Sequence, residues 1–255
     1  MTTEQVATTL ELTRAGHVAT LRFNSPTGVI TFHSGVLGEL GMHVKELSED
    51  ASIRFVVLRG VGKTFVAGAD IQQMSHFTEA EGQIFSKNGH NVFNAIEAMP
   101  QVTFAALNGH TLGGGCELAM ACDFRIAVTG IKIGQPESRL GLMPGWGGTQ
   151  RLACLVGLAA ARKLMFSGDS ISAEEAQRLG LVDEVVANPE HLDEALARWF
   201  KTLSAGSPAA VRRIKHALLH RDETNQFGLC FSCSDAREGI AAFIEKRQPT
   251  WTGKA

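Results

Sequence analysis

The alternation of apolar and polar side chains changes period along the chain, and each change predicts an element. Residues 9–13 (TLELT) and 17–23 (HVATLRF) alternate around Arg14-Ala15-Gly16, the pattern of a β-hairpin, which Asn24-Ser25-Pro26 ends. Across 34–47 the apolar set Val36, Leu37, Leu40, Met42, Val44 and Leu47 recurs at helical spacing, with Ser34 as the expected cap. The continuous run 53–58 (IRFVVL) predicts a strand covered on both faces. Phe85, Val92, Phe93 and Ile96 mark one long helix within 77–99 that Pro100 terminates. A buried strand follows at 102–107 (VTFAAL), then three glycines at 113–115 open directly into the helical ELAMA. Short strands are expected at 123–128 and 131–133. Beyond Gly147 the pattern turns helical. Ser172-Ala173-Glu174-Glu175 reads as a capping box, Ser207-Pro208 as a cap with proline in the first helical position, and GLVDEVV at 180–186 as the one further strand. Strands and helices in this order predict an α/β fold with right-handed crossovers.

Composition narrows this picture. A chain of 255 residues is long for one ordinary domain and short for two, which predicts one main domain with a smaller helical extension. Hydrophobic residues make up 44% and charged residues 20%, with no apolar run of roughly 20 residues to span a bilayer. The opening MTTEQVATT has neither the basic and apolar regions of a secretory signal nor the arginines of a mitochondrial presequence, so a cytoplasmic protein is expected. The net charge is −2 and the 24 basic residues are scattered, which speaks against nucleic acid as a partner. Five dispersed cysteines (116, 122, 154, 230 and 233) fit reduced thiols, and the pair Cys230 and Cys233 reads as two cysteines on one helix face.

The chemistry centres on two carboxylates. Glu117 stands three residues past Gly114, where the glycines leave helix-start N–H groups open to close approach by an anion or a developing oxyanion. Glu137 lies in a second Gly/Pro-punctuated segment, GQPESRLGLMPG, and FVAGADI at 65–71 is a turn of small residues that exposes further backbone N–H groups. Two carboxylates beside such donors suit proton transfer on a carbonyl compound, although by spacing alone a lone glutamate such as Glu117 just inside a helix N-terminus is usually only a favourable helix-dipole partner. Other chemistries lack their patterns. RGVGKT has Val57 where a P-loop needs glycine and no helix follows Thr64; H-E-x-x-H, G-x-S-x-G and G-x-G-x-x-G are absent, and no metal site is expected.

FVAGADI (65–71), NGHTLGGGCELAMACDFRIA (108–127), IGQPESRLGLMPGWGGTQRL (133–152), GLVDEVV and the tail REGIAAFIEKR together resemble the crotonase (enoyl-CoA hydratase/isomerase) superfamily nearly end to end. The resemblance implies a crotonase-like spiral of ββα units over 1–195, carrying a CoA thioester site. It implies a helical C-terminal trimerisation region over 196–255 and a homotrimer or homohexamer (dimer of trimers). It places the backbone N–H groups of Ala69 and Gly114 as an oxyanion hole, Glu117 and Glu137 as the catalytic pair, and the Gly145 backbone near the water between them. Ala67, with Gly68, Asp70 and Ile71, matches the contact with the adenine of CoA, which is part of the substrate, so no cofactor is implied.

Having both glutamates implies hydration of a trans-2-enoyl-CoA, as in fatty-acid β-oxidation. A Δ3,Δ2-enoyl-CoA isomerase or a bifunctional enzyme is the alternative. A non-catalytic acyl-CoA-binding or RNA-binding member fits less well, given both glutamates and no lysine-rich helix. Two departures bear on the substrate. Ile30-Thr31-Phe32 replaces the common Asn-Ala-Leu along the CoA pocket, and Trp146 stands where a smaller residue is frequent. Its indole either faces the acyl pocket or packs on the following helix, and Phe77, Phe85 and Phe93 read as core before pocket.

Overall fold

The hairpin forms as expected: β1 (Thr9–Ala15) and β2 (Val18–Asn24) pair antiparallel with Leu12 opposite Leu21. This computed structural model describes residues 8–253, and the opening MTTEQVA read above for targeting signals lies outside the described residues. Helix α1 (Ser34–Glu49) is capped by His33 in place of Ser34. Its Nδ1 accepts from Gly35 N at 3.1 Å, the geometry a serine one residue earlier would supply.

A strand–strand–helix unit then recurs three times. β3 (Phe55–Gly60) and β4 (Thr64–Val66) lead to α2 (Ile71–Met74) and α3 (Glu79–Glu97). β5 (Val102–Leu107) and β6 (His110–Leu112) lead to α4 (Gly114–Ala121). β7 (Phe124–Val128) and β8 (Lys132–Gly134) lead through a 3-10 turn, Glu137–Leu140, to α5 (Gly148–Ser167), which is broken at Gly157. β9 (Ser170–Ser172), α6 (Ala173–Arg178) and β10 (Glu184–Val186) follow, and then α7 (Glu190–Leu203), α8 (Pro208–His220), α9 (Glu223–Cys230) and α10 (Ser234–Ile244).

The first strand of each unit joins a six-stranded sheet ordered β1-β2-β3-β5-β7-β10, and the second joins a four-stranded sheet ordered β4-β6-β8-β9. This splitting is the expected spiral of ββα units. β4, β6 and β9 were not anticipated from the pattern, because three residues hold too few alternations to show a period. They form because a neighbour in the small sheet, parallel for β4 and β6 and antiparallel for β9, satisfies their backbone. FVAGADI is accordingly a strand end followed by a turn.

Aromatic packing closes the large sheet. Phe104 is fully buried, Phe200 of α7 stacks on Phe55 at 4.6 Å and Trp199 lies 4.6 Å from Phe124. The division expected at 195/196 therefore falls inside a helix that packs on the sheet. Cys230 ends α9 and Cys233 caps α10, so the two thiols sit on successive helices and not on one helical face. All five cysteines are free.

The turn linking the two sheets is pinned by one buried side chain. Asn108 Oδ1 accepts from Gly60 N at 2.8 Å, while Nδ2 donates to Thr64 O at 3.2 Å and Gly62 O at 3.3 Å. Asn108→Ala should cost about 1–3 kcal/mol by leaving these backbone groups unpaired, read as a lower urea midpoint with unchanged slope.

Candidate active site

The three glycines at the start of α4 each answer a different close approach. Gly113 has φ 53° and caps the helix without a side-chain hydrogen bond. A Cβ on it would lie 2.9 Å from Glu137 Oε1, one on Gly114 would lie 2.2 Å from Cζ3 of Trp146, and one on Gly115 would lie 2.1 Å from Val66 O. The N–H of Gly114 belongs to the first turn, where a helix has no acceptor of its own. Gly68, with φ 119°, turns the β4–α2 segment against this helix start, and its added Cβ would be 3.9 Å from Gly114 N.

Ala69 follows Gly68. Phe32 bridges it through Phe32 N to Gly68 O and Asp70 N to Phe32 O, both 2.9 Å, and neither bond uses Ala69 N. Asp70 Oδ1 caps α2 by accepting from Gln72 N and Gln73 N at 2.9 and 3.2 Å, while Ala67 N donates to Ile30 O at 2.7 Å. Ile71 is half exposed at the start of α2. In Ile30-Thr31-Phe32 the outer two side chains are fully buried and back this turn.

The two carboxylates occupy unlike surroundings. Glu117 is 2% exposed, and its Oε1 accepts from Trp146 N at 2.7 Å and Gly148 N at 2.8 Å. Burial raises its pKa, opposed by those N–H groups, by the charge of Arg151 and by a weaker contribution from Gly145. Glu137, half-buried on the 3-10 turn, is pushed up to about 7 by burial, with its own backbone N–H opposing and the charge of Glu117 adding to the rise. Beside Glu137 lies Gln135, 1% exposed; with its amide oriented to satisfy both groups, its nitrogen donates to the two Glu137 oxygens at 2.9 and 3.0 Å. A Cβ on Gly148 would be 2.9 Å from both the Gln135 amide and Glu117 Oε1. Burial raises both groups, but of the two Glu117 accepts a pair of backbone N–H groups from a neighbouring segment, an asymmetry suited to acid–base work.

Trp146 is 3% exposed and packs against the preceding helix α3, not the following one. Phe85 and Phe93 meet it edge-on at 5.3 and 5.5 Å, Phe32 lies at 6.3 Å, and a Cβ on Gly89 would be 2.3 Å from its Nε1. Phe85 and Phe93 are thus core residues, and Phe77 reaches the cluster through Phe85 at 5.3 Å.

Gln135 and Arg151 escaped the sequence reading. Gln135 carried a signal, two residues before Glu137 in one extended segment. Arg151 has no local signal that separates it from an arginine on a helix surface. Among the described residues no cluster of three metal-ligating side chains forms, and no helix is long and apolar enough to cross a membrane.

Strand pairs that part between two sheets, wound about a helix start flanked by two unlike carboxylates, define an α/β protein of the crotonase fold. The chain belongs to the enoyl-CoA hydratase/isomerase family, whose profile matches residues 13–254. It is 41% identical over 248 residues to a short-chain-enoyl-CoA hydratase of Clostridium acetobutylicum, covering 93% of this chain and 95% of that one. It is 42% identical over 248 residues to a crotonyl-CoA hydratase of Syntrophomonas wolfei, with the same coverage. Among solved structures, an enoyl-CoA hydratase from Bacillus anthracis superposes with a TM-score of 0.89 at 33% identity, covering 96% of this chain and 99% of that one.

The contact between Gly114 and Trp146 is directly testable. Gly114→Ala should destabilise by about 1–3 kcal/mol through overpacking, and Trp146→Leu in the same chain should recover part of that loss. A double-mutant cycle in urea measures the coupling, and additive effects would place the strain elsewhere.

Proposed function

We propose that this chain is an enoyl-CoA hydratase that adds water reversibly across the 2,3-double bond of a short trans-2-enoyl-CoA, giving the 3-hydroxyacyl-CoA. One observation carries this reading: two glutamates, both raised by burial, meet at one helix start with unlike hydrogen-bond partners, two backbone N–H groups on Glu117 and a side-chain amide on Glu137. The N–H groups of Ala69 and Gly114 receive the thioester oxygen, and one such preorganised donor is worth on the order of 3 kcal/mol in the transition state. Glu117, ionised, takes a proton from water as its oxygen attacks C3. Glu137, protonated, gives its proton to C2 as the enolate collapses. Gly145 and the loop after it border the water.

Ala67, Gly68, Asp70 and Ile71 form the turn along which CoA lies; Asp70 acts there by holding the turn's shape. CoA is substrate, no cofactor takes part, and the enzyme works in the cytoplasm. Trp146 fills the space behind Gly114, which together with the substrates in the relatives' names favours a short acyl chain.

The protein works as a homotrimer or a hexamer built from two trimers. Its C-terminal helices carry apolar side chains in water that a second copy would cover: Leu218 is 78% exposed, Phe227 66%, Phe243 87% and Ile244 73%. Phe243→Glu with Leu218→Glu should lower the mass found by light scattering to that of a smaller assembly. An unchanged mass would remove these helices from the interface.

Loss of enoyl-thioester absorbance with crotonyl-CoA tests the reaction. Glu117→Gln and Glu137→Gln should each reduce kcat by about 10²–10⁴-fold, with CoA affinity and fold retained. In the hydration direction kcat should fall as pH rises through about 7, because Glu137 loses the proton it must donate. Glu137→Gln should abolish that limb. Brisk isomerisation of a 3-enoyl-CoA without hydration would instead assign a Δ3,Δ2-isomerase.

A further inference from the structure

Glu117 depends on a loop that is itself held from behind. Both N–H groups on its Oε1 come from residues 146 and 148, so their direction is set by the backbone of Gly145-Trp146-Gly147-Gly148. That backbone takes an unusual path, with φ 104° at Gly147. Arg151 Nη1 donates to Trp146 O at 2.9 Å, and a Cβ on Gly147 would be 2.2 Å from the same nitrogen. The guanidinium thus occupies the space that shapes the loop.

Arg151 is 8% exposed, one turn into α5, and is anchored on a different element. Its Nε and Nη2 donate to Glu97 Oε2 at 3.0 and 2.7 Å, and Nη2 donates to Asn94 Oδ1 at 2.6 Å. Both partners lie near the C-terminal end of α3. From the same helix, Ser86 Oγ donates to Gly145 O at 2.6 Å. A buried arginine is normally paired, and the single carboxylate of Glu97 would suffice for that; the additional bond to the Trp146 carbonyl is what ties α3 to the loop.

We propose that Arg151 is a positioning residue for the hydration reaction: it fixes the Trp146–Gly148 loop so that Glu117 is aimed for water activation. This rests on the hydratase reading above. The hydrogen bonds of the arginine go to the loop and to α3 and not to either glutamate of the pair. It acts in two separable ways, through the geometry of the loop and through its positive charge. The charged and titratable groups around the pair include Glu137 on the 3-10 turn, Glu97 and His90 on α3, Cys116 beside Glu117 on α4, Cys122 at the end of α4 and Arg125 on β7. Glu97 partly neutralises Arg151, so the two exert opposite fields on Glu117.

The experiment measures kcat, KM and the acid limb of the pH–kcat profile with crotonyl-CoA, in variants whose fold is checked by circular dichroism and thermal melting. Wild-type hydration and its loss in Glu117→Gln establish the reaction first, so a failure of that reading is seen independently of Arg151. Arg151→Met should lower kcat by about 10²-fold, the scale of a small misplacement of a reacting group, with KM within about twofold. Its acid limb should move to higher pH, because loss of the cation lets burial raise Glu117 further. Arg151→Lys should restore the limb while kcat stays reduced, since an ammonium keeps the charge but not the fork. Glu97→Gln, which leaves the arginine hydrogen-bonded, should move the limb to lower pH. A folded Arg151→Met enzyme with wild-type kcat and acid limb would overturn the proposal. So would limbs that shift in the same direction in Arg151→Met and Glu97→Gln, since a purely structural disturbance has no sign.

Discussion

A carboxylate removed from water must be repaid in hydrogen bonds or give up its charge, and much of this fold is arranged around that requirement at Glu117. One oxygen accepts two backbone N–H groups from the stretch that opens α5. The segment can present them only because Gly147 takes a left-handed conformation and Gly148 has no side chain to meet the carboxylate. The start of α5 is thereby fixed relative to the start of α4, and Arg151 ties both to α3. Three helices from different ββα units are registered by one buried charge and its partners.

The same constraint explains why glycine runs through the segments around it. The small sheet lies so close to α4 that Val66 O would meet any side chain at 115, and Trp146 would meet any at 114. Close packing of strand, helix and indole brings the β4–α2 turn alongside the helix N-terminus, and this sets Ala69 near Gly114. A donor site made of backbone has an advantage here. It needs no side-chain ordering, so its N–H groups are held by the fold before any ligand arrives.

Long elements and the three-glycine helix start were legible in the sequence because each carries its own local signal: an apolar period in α1 and α3, an unbroken apolar run in β3 and β5. The short strands β4, β6 and β9 were not, since their pairing is decided by distant neighbours in the small sheet and not by their own three residues. His33 escaped as a cap because imidazole is an uncommon substitute for a hydroxyl, and the adjacent Ser34 supplied a more familiar one. At the site, the two glutamates stood out as carboxylates near glycines, but their roles came from resemblance. Nothing local distinguishes Arg151 from a solvated arginine; only the return of α3 alongside α5 gives it Glu97 and Asn94.

The unlike surroundings of Glu117 and Glu137 follow from where each sits in the chain. Glu117 lies one turn inside a helix at the junction of three elements, where backbone N–H groups converge and favour the charged form. Glu137 begins a 3-10 turn, where Gln135 is the side chain whose amide reaches it. That single neutral amide donates to a carboxyl group without supplying charge, so burial and the negative field of Glu117 prevail and the group rises to about 7. Arg151 stands on the Glu117 side of the pair, where its charge adds to the N–H groups that oppose the rise burial imposes. The two N–H groups of the loop that opens α5, with the cation behind them, are therefore what sets Glu117 apart from Glu137 although burial raises both.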